Sequence, residues 1–232
     1  MELKSTARKI FGGISNSYDR VLLYFTFFQD RYWKQYIIRN LGIDDDKLVL
    51  DIGCGTCVLE EYLKGPRAHV FGVDLTLPML EIGLSKNIKC VGGLLLGDAE
   101  SLPFRSGVFD VVLSCYVAKY CKPTRLVSQV KRVLKPNGKL GMYDFSKPSG
   151  LLAPFHALYV YSILEIVGAL LHVISPRSSL TFKELPKIIA QSHWESEMNN
   201  AVLDMNFRNI KWKKLSGGGV AVIFAELGPM QP

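Results

Sequence analysis

The sequence predicts an α/β protein: a mostly parallel sheet covered by helices on both faces and finished by an antiparallel pair of strands. Three observations predict it. Short apolar runs bounded by turn residues alternate with segments of helical character along most of the chain, as repeated strand–helix–strand units require. The first of these runs empties into a glycine-rich turn, Gly53-Cys54-Gly55. The last two are joined by the triple glycine 217–219, which suits a hairpin at one sheet edge. At 232 residues the chain has room for one well-buried core, so a single domain over 1–232 is expected.

Taken in order, residues 8–40 read as helical and carry Phe11, Tyr18, Tyr24, Phe25, Phe27, Phe28, Tyr32, Trp33 and Tyr36. Residues 1–42 thus form an N-terminal helical segment that packs an apolar face on the core or serves as a lid over an apolar ligand. Gly42 and Asp44-Asp45-Asp46 turn the chain into a first buried strand, Lys47 to Ile52. A helix from Cys57 to Lys64 is expected next, stopped by Gly65-Pro66. Ala68 to Val73 is the second strand and Pro78 to Lys86 the second helix of the alternation. Gly97-Asp98-Ala99-Glu100 lies on the loop after a third strand, and Phe109 to Cys115 is another buried strand. Leu126 to Leu134 is a helix ended by Pro136-Asn137-Gly138, and Lys139 to Asp144 is the next strand. Ala201 to Met205 is helical, and Ile210 to Leu215 and Val220 to Leu227 are the final strands.

Residues 149–190 interrupt the alternation as an apolar helical insertion. Phe155 to Ser175, between Pro154 and Pro176, is almost entirely apolar and long enough to span a bilayer. It contains His156, Glu165 and His172, which are costly at membrane depth. Three readings stand: a buried or interfacial helix, a helix that lines an apolar substrate pocket or lies on a membrane surface, and a span.

Composition narrows the partners. Apolar residues make up 48% of the chain, ordinary for a globular protein and too many for a disordered one. The net charge is +7, yet no run of five or six Lys/Arg occurs, so nucleic acid is not expected. The five cysteines are odd in number and show no disulfide-framework spacing. Met1-Glu2-Leu3-Lys4-Ser5 does not lead into a signal-peptide core. A cytoplasmic setting is expected, and the reading admits peripheral contact with a membrane and a homodimer. Cys54-x-x-Cys57 has no second Cys/His pair close by, so no metal is expected.

The candidate site gathers at the carboxyl ends of the strands, where open α/β sheets bind ligands. Gly53 and Gly55 let the backbone turn tightly and approach a ligand closely. Val58 stands where a dinucleotide loop carries its third glycine. Asp51 suits a ligand bearing an amino cation and a sulfonium better than a pyrophosphate, which favours S-adenosylmethionine over NAD. Asp74, ending the second strand, can accept from both ribose hydroxyls, and alternatively can cap a helix. Leu75 and Met79 either pack on an adenine face or belong to the core. Asp98 can accept from an adenine amino group.

The series Leu50-Asp51-Ile52-Gly53-Cys54-Gly55-Thr56, Val73-Asp74, 97–104 and Arg132-Val133-Leu134-Lys135-Pro136-Asn137-Gly138 resembles the class I S-adenosylmethionine-dependent methyltransferases. Within them the chain is most similar to the ubiquinone/menaquinone biosynthesis C-methyltransferases. Phe11 through Tyr18-Asp19 to Trp33, Asp144-Phe145-Ser146-Lys147-Pro148, and Phe207 through the glycines to Val222 resemble that branch. The resemblance implies a Rossmann-like, seven-stranded sheet with the cofactor at its carboxyl edge. It implies contacts to S-adenosylmethionine from Thr56, Asp74, Asp98 and Ala99, with Cys115 standing where the family has serine. It also implies a hydrophobic acceptor, a prenylated quinol-type ring methylated on carbon. The chain departs from the family at Cys57, where the family has glycine, at Leu22, where it has asparagine, and at Lys119-Tyr120, where it has Arg-Asn. Other lipid or small-molecule acceptors therefore stay open, as does a non-catalytic cofactor-binding subunit. A phenolic ring becomes a carbon nucleophile on losing its proton, so a general base would help. The candidates are His156, His172, Glu165 and His193, with Tyr18 and Asp144 nearer the cofactor edge.

Overall fold

A computed structural model describes residues 2–43, 46–63, 69–148, 162 and 185–229. Seven strands form one sheet: β1 (Leu48–Ile52), β2 (His69–Asp74), β3 (Val91–Leu96), β4 (Phe109–Cys115), β5 (Leu134–Phe145), β6 (Phe207–Leu215) and β7 (Val220–Leu227). Their order is β3-β2-β1-β4-β5-β7-β6. The pairs β2–β3, β1–β2, β1–β4 and β4–β5 are parallel, and β7 runs antiparallel to both β5 and β6. The expected mixed sheet with a C-terminal hairpin is what forms, closed by a 3-10 turn at Ser216–Gly218 within the predicted glycine run.

Seven helices accompany it among the described residues: α1 (Glu2–Ile14), α2 (Tyr18–Phe25), α3 (Gln29–Leu41), α4 (Leu77–Ser85), α5 (Pro123–Val133), α6 (Leu185–Gln191) and α7 (Trp194–Asp204). The central strands are apolar runs because both their faces are covered. Leu50, Ile52 and Val112 pack with Leu126, Val130 and Val133 of α5 and Trp194 and Met198 of α7. Val49, Val111, Leu113 and Tyr143 pack on the other face with Trp33, Ile37 and Leu41 of α3 and Leu22 of α2. The β1–β4 junction is where strand order reverses, so the loops there diverge and leave a crevice.

Three expectations need correction. The helix expected from Cys57 is, among the described residues, a single 3-10 turn at Glu60–Tyr62. Cys57 sits at φ +60, a left-handed conformation that no helix can start through, while its N–H closes a turn onto the Cys54 carbonyl at 2.9 Å. The single helical run 8–40 is three helices beginning at Glu2. They are broken at Ser15–Ser17 and at Phe27 and Phe28, which have φ +46 and +62. Pro136-Asn137-Gly138 does not separate α5 from β5: the strand starts at Leu134 and absorbs the turn as an irregularity opposite Phe109–Val111. The insertion at 149–190 falls outside the described residues up to 184, apart from Ser162, and α6 opens its described end. No helix among the described residues is long and apolar enough to cross a membrane.

Candidate functional site

The cleft at the β1–β4 crevice has a volume of about 680 Å³ and is built by the loops at the strand ends with residues of α1, α2 and α4. Gly53 and Gly55 form its floor. Gly53 has φ +77, and a Cβ there would lie 2.1 Å from Val117 Cγ2. Gly55, at φ +55, donates its N–H to Asp74 Oδ2 at 2.9 Å. Thr76 N–H donates to Asp74 Oδ1 at 2.8 Å, so two backbone amides fix the carboxylate at the tip of β2. Burial pushes the Asp74 carboxyl up, and these amides hold it back. Four lone-pair sites on a carboxylate leave it able to accept further bonds from the cleft.

The structure also brings Leu75, Met79, Asp98, Ala99 and Cys115 into the same wall. Burial raises the Cys115 thiol well above its usual range, which keeps it a neutral, apolar surface. Asp51 and Thr56 stand behind the loop, not in the wall. The pleat of β1 sends Leu50 and Ile52 to one face and Asp51 to the other, where it is 2% exposed. The Thr56 hydroxyl donates to Asp19 of α2, which also accepts from Lys86 at 2.7 Å.

The fourth wall is α1. Lys4 Nζ reaches both Asp98 oxygens at 2.8 Å and Glu100 Oε2 at 2.9 Å, and Ala7 and Phe11 line the cleft beside it. Burial alone would raise Asp98, but the Lys4 ammonium, the Glu100 amide and the Arg8 charge together hold the carboxyl below its usual range. Lys4 gave no signal in the sequence: a lone lysine in a first helix reads as a solvated charge.

Beneath the cleft, and sharing Phe11, Tyr18, Tyr116 and Tyr120 with it, lies a second cavity of about 500 Å³. Ile10, Ile14, Val21, Leu22, Phe25 and Phe145 make it almost wholly apolar. Phe11 meets Tyr18 and Tyr120 edge-on, each with centroids 5.8 Å apart. The one charged group in its described lining is Lys119. Lys119 Nζ donates to Asp144 Oδ1 at 2.6 Å and to the Tyr116 carbonyl at 2.9 Å, and sits 4.7 Å from the Tyr120 ring centroid. Burial lowers the Lys119 ammonium and Asp144 opposes it. The Tyr120 hydroxyl is buried with no hydrogen-bond partner among the described residues. Burial and the Asp144 charge raise it, so it stays protonated. Tyr116, at φ +64, donates its hydroxyl to buried Asp30 at 2.7 Å.

Of the candidate bases, Tyr18 lines both cavities and Asp144 stands behind Lys119. His193 caps the start of α7 and lines neither cavity. His156, Glu165 and His172 lie outside the described residues. No group of three His, Cys, Asp or Glu among the described residues stands where it could hold a metal ion. Chemically, the paired cavities suit a polar ligand with hydroxyls above, meeting an apolar ring below beside one ammonium.

Known proteins resemble this chain in sequence and fold. A family model described as "Methyltransferase domain" matches residues 50–142. The demethylmenaquinone methyltransferase of Tropheryma whipplei (strain Twist) is 30% identical over 226 residues, covering 96% of this chain and 92% of its own. The demethylmenaquinone methyltransferase of Staphylococcus aureus (strain JH9) is 27% identical over 230 residues, covering 94% and 92%. A solved SAM-dependent methyltransferase from Aquifex aeolicus superposes with a TM-score of 0.57 at 18% identity, over 84% of this chain and 89% of that one. The chain belongs to the class I S-adenosylmethionine-dependent methyltransferases, in the family of these demethylmenaquinone methyltransferases.

Proposed function

We propose that the protein methylates a carbon of a hydrophobic, prenylated quinol-type ring. The observation that carries this reading is the apolar cavity that adjoins the cofactor cleft across four shared aromatic side chains and holds one buried ammonium, Lys119. A ring with an apolar tail fits that lining, and its phenolic oxygen would find a cation there.

The upper cleft fits S-adenosylmethionine on its own chemistry. Asp74 has capacity for two ribose hydroxyls, Leu75 and Met79 offer apolar contact to adenine, and Asp98 can accept from its amino group while keeping Lys4. Gly53 and Gly55 bring bare backbone to the methionine portion, and Cys115 gives it a neutral wall. When bound, the cofactor supplies a methyl group on a sulfonium. The rest falls to the chain. Phe11, Tyr18, Tyr116 and Tyr120 aim the ring carbon toward the cleft, which converts an encounter into an oriented displacement. Lys119, held by Asp144, stabilises the phenolate in a dry cavity, and the Tyr120 hydroxyl donates its free hydrogen to a ring oxygen. Helices α1 and α2 act as the lid that excludes water.

Incubating the full chain with methyl-labelled S-adenosylmethionine and either demethylmenaquinol or a membrane lipid extract tests this. Label on a ring carbon is expected. Label confined to other lipids of a membrane extract assigns a different acceptor, and no labelled lipid at all removes the reading.

A further inference from the structure

Behind the glycine loop two acids meet without water. Glu60 is 0% exposed and lies within hydrogen-bond reach of Asp51. Among the described residues, neither Glu60 oxygen accepts from any donor, and nor does Asp51 Oδ1. Two bare carboxylates that close in a buried site cannot both carry charge, and one shared proton answers the geometry. The groups facing the pair do not neutralise it. Lys34 from α3 is paired with Asp30, and Lys86 after α4 is paired with Asp19 and Glu61. Cys54, whose thiol is pushed well above its usual range, and the Cys57 side chain also face it, and the Cys90 thiol donates to the Glu60 carbonyl oxygen, not to its carboxyl. Burial lifts Asp51 well above its usual range and Glu60 to about 7.

We propose that Asp51 and Glu60 share a proton in the free protein and release it when S-adenosylmethionine enters the cleft, so that Glu60 makes the site prefer the cationic cofactor to its neutral product. Asp51 lies two residues before Gly53 of the cleft floor and neither acid lines the cleft, so the pair would act on the ligand from beneath the loop rather than by contact. A sulfonium above the loop favours the ionised pair. Methyl transfer turns that sulfonium into a thioether, one positive charge leaves the cleft with the methyl group, and the pair takes a proton back from solvent. The site is then least attractive to the spent cofactor.

Titration calorimetry of the full chain at pH 7, in two buffers of different ionisation enthalpy, reads the proton count directly. S-adenosylmethionine and S-adenosylhomocysteine are each titrated into the wild type and Glu60→Gln. Wild type is expected to release on the order of half a proton more with the first ligand than Glu60→Gln does. The preference for S-adenosylmethionine should fall roughly tenfold in the variant, the order expected of one charge acting through protein. Circular dichroism confirms that the variant is folded. Equal proton counts in the two proteins, or an unchanged preference, overturns the proposal.

Discussion

Replacing Glu60 by Gln should stabilise the protein, and by an amount that depends on pH. Glu60 is fully buried and its carboxyl moves from an ordinary 4.5 to about 7. Between those values the unfolded chain has already lost this proton while the folded chain keeps it. The folded state therefore binds more protons, and stability falls as pH rises through the window. A displacement of that size, at 1.36 kcal/mol per pH unit, comes to about 3 kcal/mol, absent below pH 4.5 and fully felt above 7. Glutamine carries no charge to bury, and its amide can donate to Asp51 Oδ1, which lacks a donor. Urea unfolding at pH 5 and pH 8 checks the prediction. The variant should gain under ~1 kcal/mol at pH 5 and about 3 kcal/mol at pH 8, or roughly 6–12 °C in Tm at the higher pH. An equal gain at both pH values, or a loss at pH 8, refutes the reasoning, because then burial does not hold the proton on this pair.

Gly53→Ala puts a methyl 2.1 Å from Val117 Cγ2 at a backbone φ of +77. Unfolding titrations should show a loss of about 2–4 kcal/mol, and calorimetry should show weakened cofactor binding as the cleft floor shifts. Lys119→Met leaves Asp144 buried at 0% exposure without its cation and should cost about 3–5 kcal/mol by urea unfolding, most of it recovered in Lys119→Met/Asp144→Leu. Neither variant should regain methyl transfer in the labelled-cofactor assay. Asp74→Asn removes the charge that Gly55 and Thr76 amides orient, and should weaken S-adenosylmethionine about 10- to 100-fold by calorimetry. Lys4→Ala should change stability by no more than about 1 kcal/mol, since its pairs are partly exposed, while speeding cofactor release in stopped-flow dissociation.

What the sequence made legible is what local chemistry decides. The runs at β1, β2 and β4 stand out because strands covered on both faces need apolar residues throughout. Gly53, Gly55 and Asp74 stand out because a tight turn and an acid at a strand tip carry their own signature. The misreadings come from positions where tertiary structure overrides propensity. Cys57 occupies the left-handed region in place of the family's glycine, and nothing in Thr56-Cys57-Val58-Leu59 announces that the helix will fail. Tyr116 takes φ +64 and sends its hydroxyl to Asp30, a partner 86 residues earlier. Lys4 meets Asp98 across 94 residues. The lower cavity depends on α1, α2, the Ala118–Tyr120 turn and the end of β5 converging, and no single stretch records that convergence.

That convergence ties the two cavities together mechanically. Two of the four rings shared between them, Phe11 and Tyr18, belong to the N-terminal segment, one in α1 and one in α2. Each helix is clasped to a different part of the cofactor site: α1 by Lys4 to Asp98 and Glu100, and α2 by Asp19 to Thr56 and Lys86. Lifting either helix opens the cleft and the apolar cavity in one motion, so neither ligand's walls exist without the other's. In the proposed reaction the Lys119 ammonium polarises a ring oxygen effectively only while the aromatic walls keep water away, since the same charge acts several times more strongly at protein dielectric than in water. The clasps are individually worth little as surface ion pairs. Their leverage lies in holding shut the dry volume in which one buried cation counts.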